Sequence, residues 1–276
     1  MTPRVRVATC AKLPEPDQDA APLAEAFARA GVDAQLVAWD DPTVDWDAPI
    51  ATVLRSTWNY AQNLDAFTAW LGRVAAAAPL WNPIEVVRGN LRKRYLLSLA
   101  SHGVPVVPTT LVEPGGELPF LATRAVVKPE VGAGSWMTKV FEPDQSDAAA
   151  AHLAEVLRFG SALVQPYVAS VDVYGERSLV WIDGELSHAI RKSPRFSGDR
   201  ETTTGPFDIA ADERVVAEAA LAPVASQILY GRVDLARDAS GQPMVMELEL
   251  VEPSLFFARG AGAADRFVAG LMSRLR

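Results

Sequence analysis

Tyr230-Gly231-Arg232-Val233-Asp234-Leu235-Ala236-Arg237-Asp238-Ala239-Ser240-Gly241-Gln242-Pro243-Met244-Val245-Met246-Glu247-Leu248-Glu249-Leu250-Val251 decides how the chain is read. It has the pattern of strand, turn and strand. Side chains of a strand alternate faces, so Glu247 and Glu249 share one face of an otherwise apolar segment. Asp238-Ala239-Ser240-Gly241 is a hairpin turn by composition. A two-residue loop at Ser240-Gly241 sets Asp234 opposite Glu247. Like charges facing across strands are destabilising, and carboxylates are seldom buried without a partner. No basic residue lies on the Glu247/Glu249 strand to neutralise them. A divalent cation would do so. Oxygen ligands with no His or Cys among them suit Mg²⁺, or Mn²⁺, ions that also hold substrate phosphates. The same pattern describes a solvated strand face, or acids paired with arginines distant in sequence.

Composition sets the outer limits. With 276 residues, 49% hydrophobic and 22% charged, the chain is an ordinary globular sequence of one large or a few small domains. No apolar run is long enough for a membrane span, and the start reads as a first strand rather than a signal peptide. The single Cys10 excludes an internal disulfide and fits the reducing cytoplasm. Net charge −8 argues against general nucleic-acid binding but not against a basic pocket for a small anion.

From Arg4 to about Leu80 strands alternate with helices: strands at 5–9, 34–38 and 50–55, and helices at 20–30 and 64–78. That alternation predicts a small parallel sheet with helices on its faces. Asn90 is expected to cap a helix over 91–102. Strands follow at 125–129, 138–141 and 162–166, with an Ala-rich helix at 147–159. The last stretch has strands at 178–182 and 185–192 around an Asp183-Gly184 turn. A polar loop over Ser193–Gly205, a helix at 212–227, the acidic hairpin and a helix at 263–275 complete it.

Several basic and small residues accompany this frame. Lys128 ends the strand Ala125-Val126-Val127-Lys128-Pro129 and precedes Gly132-Ala133-Gly134-Ser135, where small residues allow a backbone to approach phosphate. A flexible hairpin connection would look the same, and no P-loop motif occurs. Lys93 is the middle of Arg92-Lys93-Arg94, which is either a solvated face or a source of one cation for a cleft. Gln165-Pro166-Tyr167-Val168 leaves a strand, and Pro166 has no N–H to offer a planar base. Arg177 and Arg191 fall on nearby rungs of the hairpin around Asp183-Gly184, as phosphate-binding residues or as plain surface arginines.

In that order Lys93, Lys128 with its glycine loop, Gln165–Val168, Arg177, Arg191 and the Asp234, Glu247, Glu249 set resemble the ATP-grasp superfamily of carboxylate–amine ligases. The chain is most like the glutathione-synthetase and RimK-like branch. Arg55-Ser56-Thr57-Trp58-Asn59-Tyr60, Leu80-Trp81-Asn82-Pro83 and Met246–Ser254 also resemble ligases related to the O-ureido-serine cyclo-ligase of cycloserine biosynthesis. The resemblance implies an α/β (α+β) ATP-grasp fold. A Rossmann-like pre-ATP-grasp domain (1–88) would precede a central lid subdomain (89–166) and a C-terminal subdomain with the metal site (167–276).

It also implies roles. Lys93 and Lys128 would hold ATP phosphates, with Gly132, Gly134 and Ser135 closing over them. Gln165, Tyr167 and Val168 would meet adenine, and Asp172 the ribose. Arg191, with Arg177 nearby, would face the phosphoryl group. Asp234, Glu247 and Glu249 would carry two Mg²⁺ ions. Arg55, Glu252 and Ser254 would contact the small-molecule carboxylate and amine substrates, with Trp58 and Tyr60 lining the pocket and Ser193–Gly205 as a lid. The chain departs from many relatives with Glu249 in place of Asn, with Pro166, and with bulky Trp136 in the glycine loop. The implied reaction joins a carboxylate to an amine, in one molecule or between two, through an acyl phosphate, with ADP and Pi released. A non-catalytic ATP-binding module and a small-molecule kinase are the competing readings. A homodimer stays open, since nothing in the sequence marks an interface.

Overall fold

The computed structural model describes residues 4–46, 49–193 and 202–275. Three sheets form along the chain. The first comes from β1 (Arg4–Thr9), α1 (Ala20–Arg29), β2 (Asp33–Ala38), β3 (Ala51–Leu54), α2 (Leu64–Ala77) and β4 (Leu80–Trp81). Its strands are parallel, in the order β2-β1-β3-β4. All of β3 and most of β1 is buried, as expected of strands covered on both faces. Helix α2 buries Phe67, Trp70, Leu71 and Val74, the i, i+3, i+4, i+7 stripe that faces a core.

Two short helices follow, α3 (Ile84–Asn90) and α4 (Tyr95–Ser101). The second sheet is antiparallel and contains β5 (Thr110–Val112), β6 (Ala125–Pro129), β7 (Lys139–Phe141) and β8 (Ala162–Pro166), covered by α5 (Ser146–Val156). After α6 (Ser170–Val173) comes the third, also antiparallel: β9 (Glu176–Ile182), β10 (Glu185–Lys192), β11 (Thr203–Phe207), β12 (Tyr230–Arg237) and β13 (Pro243–Glu249), with α7 (Ala211–Leu221) between β11 and β12. Its order is β11-β10-β9-β12-β13. Helix α8 (Ala263–Arg274) closes the chain against α1 and β9. Among the described residues no helix is long and apolar enough to cross a membrane.

Two expectations are corrected and a third lies largely outside the described residues. Asn90 does not cap a helix over 91–102; it ends α3, and the chain turns before α4. The Lys93 N–H is drawn out to Glu130 O (2.9 Å), which interrupts the helical ladder. The Asn90 amide instead serves the edge strand β13, donating to Leu248 O (2.8 Å) and accepting from Leu250 N–H (2.7 Å). The acidic hairpin does place Asp234 opposite Glu247, but by a different route. Its loop spans 238–242, Arg237 pairs with Pro243, and a bulge at Met246 restores the register at the acids. The supposed lid lies mostly at 194–201, outside the described residues, and its end at Thr203–Gly205 belongs to β11.

Asn82 ties the first sheet to the third. Its buried amide donates to Tyr230 O and Leu250 O (both 2.8 Å) and accepts from Leu229 N–H (2.8 Å). Asn82→Ala would leave these backbone groups buried and unpaired. It should cost about 2–4 kcal/mol, read as a lowered urea midpoint.

Candidate active site

A cavity of about 680 Å³ lies where the three sheets meet. Its size suits a small-molecule or nucleotide site. One wall is the β12–β13 hairpin with Arg232, Met246, Glu247 and Glu249. The second comes from the central sheet: Lys128, Gly132–Trp136 and Gln165–Val168. The third is built by loops of the first sheet, Lys12–Glu15 after β1 and Trp58–Gln62 after β3. Those loops leave the carboxyl ends of parallel strands, where open α/β sheets gather ligands.

The Arg92-Lys93-Arg94 run divides its labour. Arg92 and Arg94 both pair with the buried carboxylate of Glu130. Lys93 points into the cavity, 2.6 Å from Gly132 O and 3.1 Å from Glu247 Oε1. Burial works against its charge, but Glu247 prevails and raises the Lys93 pKa. Lys128 has burial against it and Lys93 nearby, and is held below the usual lysine value despite the attraction of Glu247. Glu247 is the mirror image: burial would raise it, and the two lysines pull it down.

Glu249 is pushed up to about 7 by burial, offset in part by Arg232. Arg232 donates to Glu249 and holds both oxygens of Asp234 at 2.8 Å. Asp234 also accepts from Ser178 Oγ (2.5 Å) and Lys192 Nζ (2.8 Å). Despite burial, Arg232 and Lys192 hold it far below the usual carboxylate range. Asp234 therefore sits behind the cavity wall with its oxygens taken, and only Glu247 and Glu249 of the expected triad open on the cavity. Among the described residues no group of three or more His, Cys, Asp or Glu is disposed to hold a metal. The neutralising cation missing from β13 is Arg232, on the paired strand.

A register shift between Leu186 and His188 brings Arg177 and Arg191, expected on nearby rungs, directly opposite one another, but on the far face of the sheet. Arg177 grips Glu213 through two 3.1 Å bonds. Arg191 lies over Phe207 and Tyr174, at 5.0 and 5.3 Å from the ring centres. Period-2 alternation explains this: Glu176, Ser178 and Lys192 share the face of Asp234, so Lys192 takes the place expected of Arg191. Lys192, Arg232 and Glu176 are the residues the sequence reading passed over. Arg232 was legible, since it shares a strand face with Asp234 two residues on.

Gly132, Gly134 and Ser135 line the cavity, with Gly134 and Ser135 in the left-handed region at φ 59° and 61°. Trp136 packs edge-on against Phe159. Gln165, Tyr167 and Val168 are also cavity residues. The Tyr167 N–H is committed to Arg124 O (2.8 Å) and its hydroxyl to Asp172, so neither Tyr167 N–H nor Asp172 is placed as expected. Arg55 is another correction. It is buried away from the cavity, 3.0 Å from Asp19 and over the Tyr230 and Phe257 rings. Glu252, Ser254, Trp58 and Tyr60 do face the cavity, and Trp58 Nε1 donates to Glu252 O (3.1 Å).

Burial, reinforced by Glu249, raises Glu252 to about 8 from an ordinary value of 4.5. Between these values the folded chain binds more protons than the unfolded one, so this group's contribution to stability is lost as pH rises through the window. Glu252→Gln stays neutral throughout. Its urea midpoint should fall less than the wild type's between about pH 5 and about pH 8.

The profile of the D-cycloserine synthetase DcsG N-terminal domain family matches residues 5–82. Over 283 aligned residues the chain is 40% identical to the cycloserine biosynthesis protein DcsG of Streptomyces lavendulae, covering 94% of this chain and 95% of that protein. The crystal structure of D-cycloserine synthetase DcsG superposes with a TM-score of 0.91 at 38% identity, covering 99% of this chain and 100% of that one. The ATP-grasp ligase PsnB, complexed with a phosphomimetic variant of its minimal precursor, Mg and ADP, shares the fold at a TM-score of 0.63 and 18% identity, covering 98% of this chain and 99% of that one.

Proposed function

The chain belongs to the D-cycloserine synthetase family of ATP-grasp ligases, and from that premise we propose that it activates a carboxylate with ATP and closes it onto an amine of the same molecule. The observation that carries this reading is that two lysines, the buried Lys93 and the half-buried Lys128, line one cavity with two carboxylates, Glu247 and Glu249. Such a site holds an anion and a divalent cation together. Lys93 pairs with Glu247 and Arg232 with Glu249. A magnesium nucleotide would exchange these pairs, giving phosphates to the lysines and the metal to the glutamates.

In the proposed reaction a carboxylate oxygen attacks the γ-phosphorus and ADP leaves. The lone pair of the attacking nitrogen, in O-ureido-serine the ureido nitrogen bonded to oxygen, then attacks the carbonyl carbon of the acyl phosphate, the oxyanion collapses with expulsion of phosphate, and the nitrogen loses a proton. The chain supplies position and charge rather than a covalent nucleophile. Lys93 and Lys128 hold the phosphates under Gly132–Ser135, and Gln165 and Val168 flank the base. Lys192 and Arg232, fixed by Asp234, stabilise the moving phosphoryl group and the oxyanion in the role first expected of Arg191. Glu247 and Glu249 are the residues that would hold Mg²⁺, or Mn²⁺ in its place, whose charge would offset that developing on the phosphates. Glu252 and Ser254, with Trp58 and Tyr60, receive the amino-acid-like substrate. A need for ATP and a lone thiol both fit the cytoplasm.

ADP release with Mg²⁺ and O-ureido-serine tests this. Glu247→Gln, Lys128→Ala and Lys192→Ala should each lose at least about a hundredfold in rate, while Arg191→Ala keeps wild-type turnover. Equal loss in the Arg191 and Lys192 variants would refute the assignment of the cations. Product mass separates ring closure, in which one acid loses water with no second partner, from joining of two molecules.

A further inference from the structure

We infer that Asp19 is a positioning residue for the substrate end of the cavity, acting through the segment 252–257; this rests on the proposed binding of substrate at Glu252 and Ser254. Asp19 stands at the N-cap of α1, where an Asp side chain ordinarily accepts from the first turn of its own helix. It makes no such bond. Its carboxylate turns instead to the far end of the chain and accepts from three consecutive backbone N–H groups: Leu255 (2.5 Å), Phe256 (3.2 Å) and Phe257 (2.8 Å). Arg55 Nη2 supplies a fourth donor at 3.0 Å.

Successive N–H groups converging on one anion form a nest, and a nest needs backbone outside the ordinary helical and extended regions. Phe256 provides it at φ 50°, a conformation unfavourable for a bulky side chain. The negative charge of Asp19, 2% exposed, is what holds Phe256 there.

The same segment is held at two further points. Trp58 Nε1 donates to Glu252 O (3.1 Å), and Arg232 Nη1 to Ser254 O (3.0 Å). Arg232 also holds Asp234 and Glu249, so the segment is geared to the acidic hairpin. Asp19 closes the loop that begins at Cys10 and carries Lys12–Glu15 to the cavity. One carboxylate thus pins two cavity-lining loops, from opposite ends of the chain, to each other. The nucleotide-facing residues Lys128, Gly132–Ser135 and Gln165 are on other elements and do not depend on this pin.

Asp19→Asn keeps the shape but turns an amide N–H₂ toward the nest donors. We expect KM for O-ureido-serine to rise at least tenfold while KM for ATP stays within twofold of wild type. Asp19→Glu, which keeps the charge, should recover part of the loss. A folded Asp19→Asn enzyme with wild-type KM for O-ureido-serine overturns the inference, as does an equal rise in both KM values, which a general loss of structure would produce. Amide hydrogen exchange of the wild-type protein gives a measurement free of any variant: Leu255, Phe256 and Phe257 should exchange as slowly as neighbouring strand amides, and fast exchange there overturns the nest. If wild-type protein with O-ureido-serine releases no ADP, the substrate reading fails. Exchange at 255–257, faster in Asp19→Asn than in wild type, still decides whether Asp19 holds the segment.

Discussion

Asp234 accepts from Arg232, Lys192 and Ser178 in a buried cluster that joins β12, β9 and β10. The rest of the site is arranged around it. Removing one partner from such a cluster strands a buried charge at a cost of about 3–5 kcal/mol, even though the intact cluster adds little net stability. Its value is geometric. With both oxygens of Asp234 occupied, Arg232 and Lys192 are held against the cavity, and Arg232 in turn reaches Glu249 and the backbone of Ser254. Arg232 and Lys192 are thus fixed at the cavity by bonds to Asp234, which itself stays behind the wall.

Two buried asparagines do for the fold what Asp234 does for the site. Asn82 and Asn90 each spend their amide on backbone groups of the third sheet, Asn90 acting as a substitute strand along the edge of β13. They explain why the acidic hairpin, an edge element by topology, is held rigidly enough to carry two cavity carboxylates. An unpaired edge would otherwise leave backbone donors and acceptors exposed. Tyr95 contributes in the same way, its hydroxyl accepting from Leu248 N–H (3.0 Å).

Much of this was legible beforehand where local rules suffice. Sequence pattern placed β1, α1, α2, β6, β8, β10 and α8 close to their observed bounds: the helices bury a regular stripe, and β1 and β8 are short apolar runs buried nearly throughout. The Asp234–Glu247 rung also came out as expected, although two departures compensate: the loop is longer than two residues and Met246 bulges. Short elements such as β4 and β5 carry too few residues to show a period, and β11, Thr203-Thr204-Gly205-Pro206-Phe207, is polar and turn-like in composition. Helix α3 was missed because Asn90 reads as a cap, and only contact with β13 shows where its amide goes.

Residue types and spacing by themselves determined that Glu247 and Glu249 share one face of an apolar strand and call for a cation or for solvent, because carboxylates are costly to bury unpaired. The order of Lys93, Lys128, Gln165, Glu247 and Glu249 along the chain implied a common site through its resemblance to ATP-grasp ligases, and all five line one cavity. Tertiary structure alone decided which cation faces that cavity. Arg177 and Arg191 lie one residue from Glu176 and Lys192, and alternation sends neighbours to opposite faces of the sheet. Register, set by pairing between distant strands, also withdrew Asp234 behind Arg232. Packing between the two ends of the chain turned Arg55 and Asp19 inward, to hold a loop rather than a ligand.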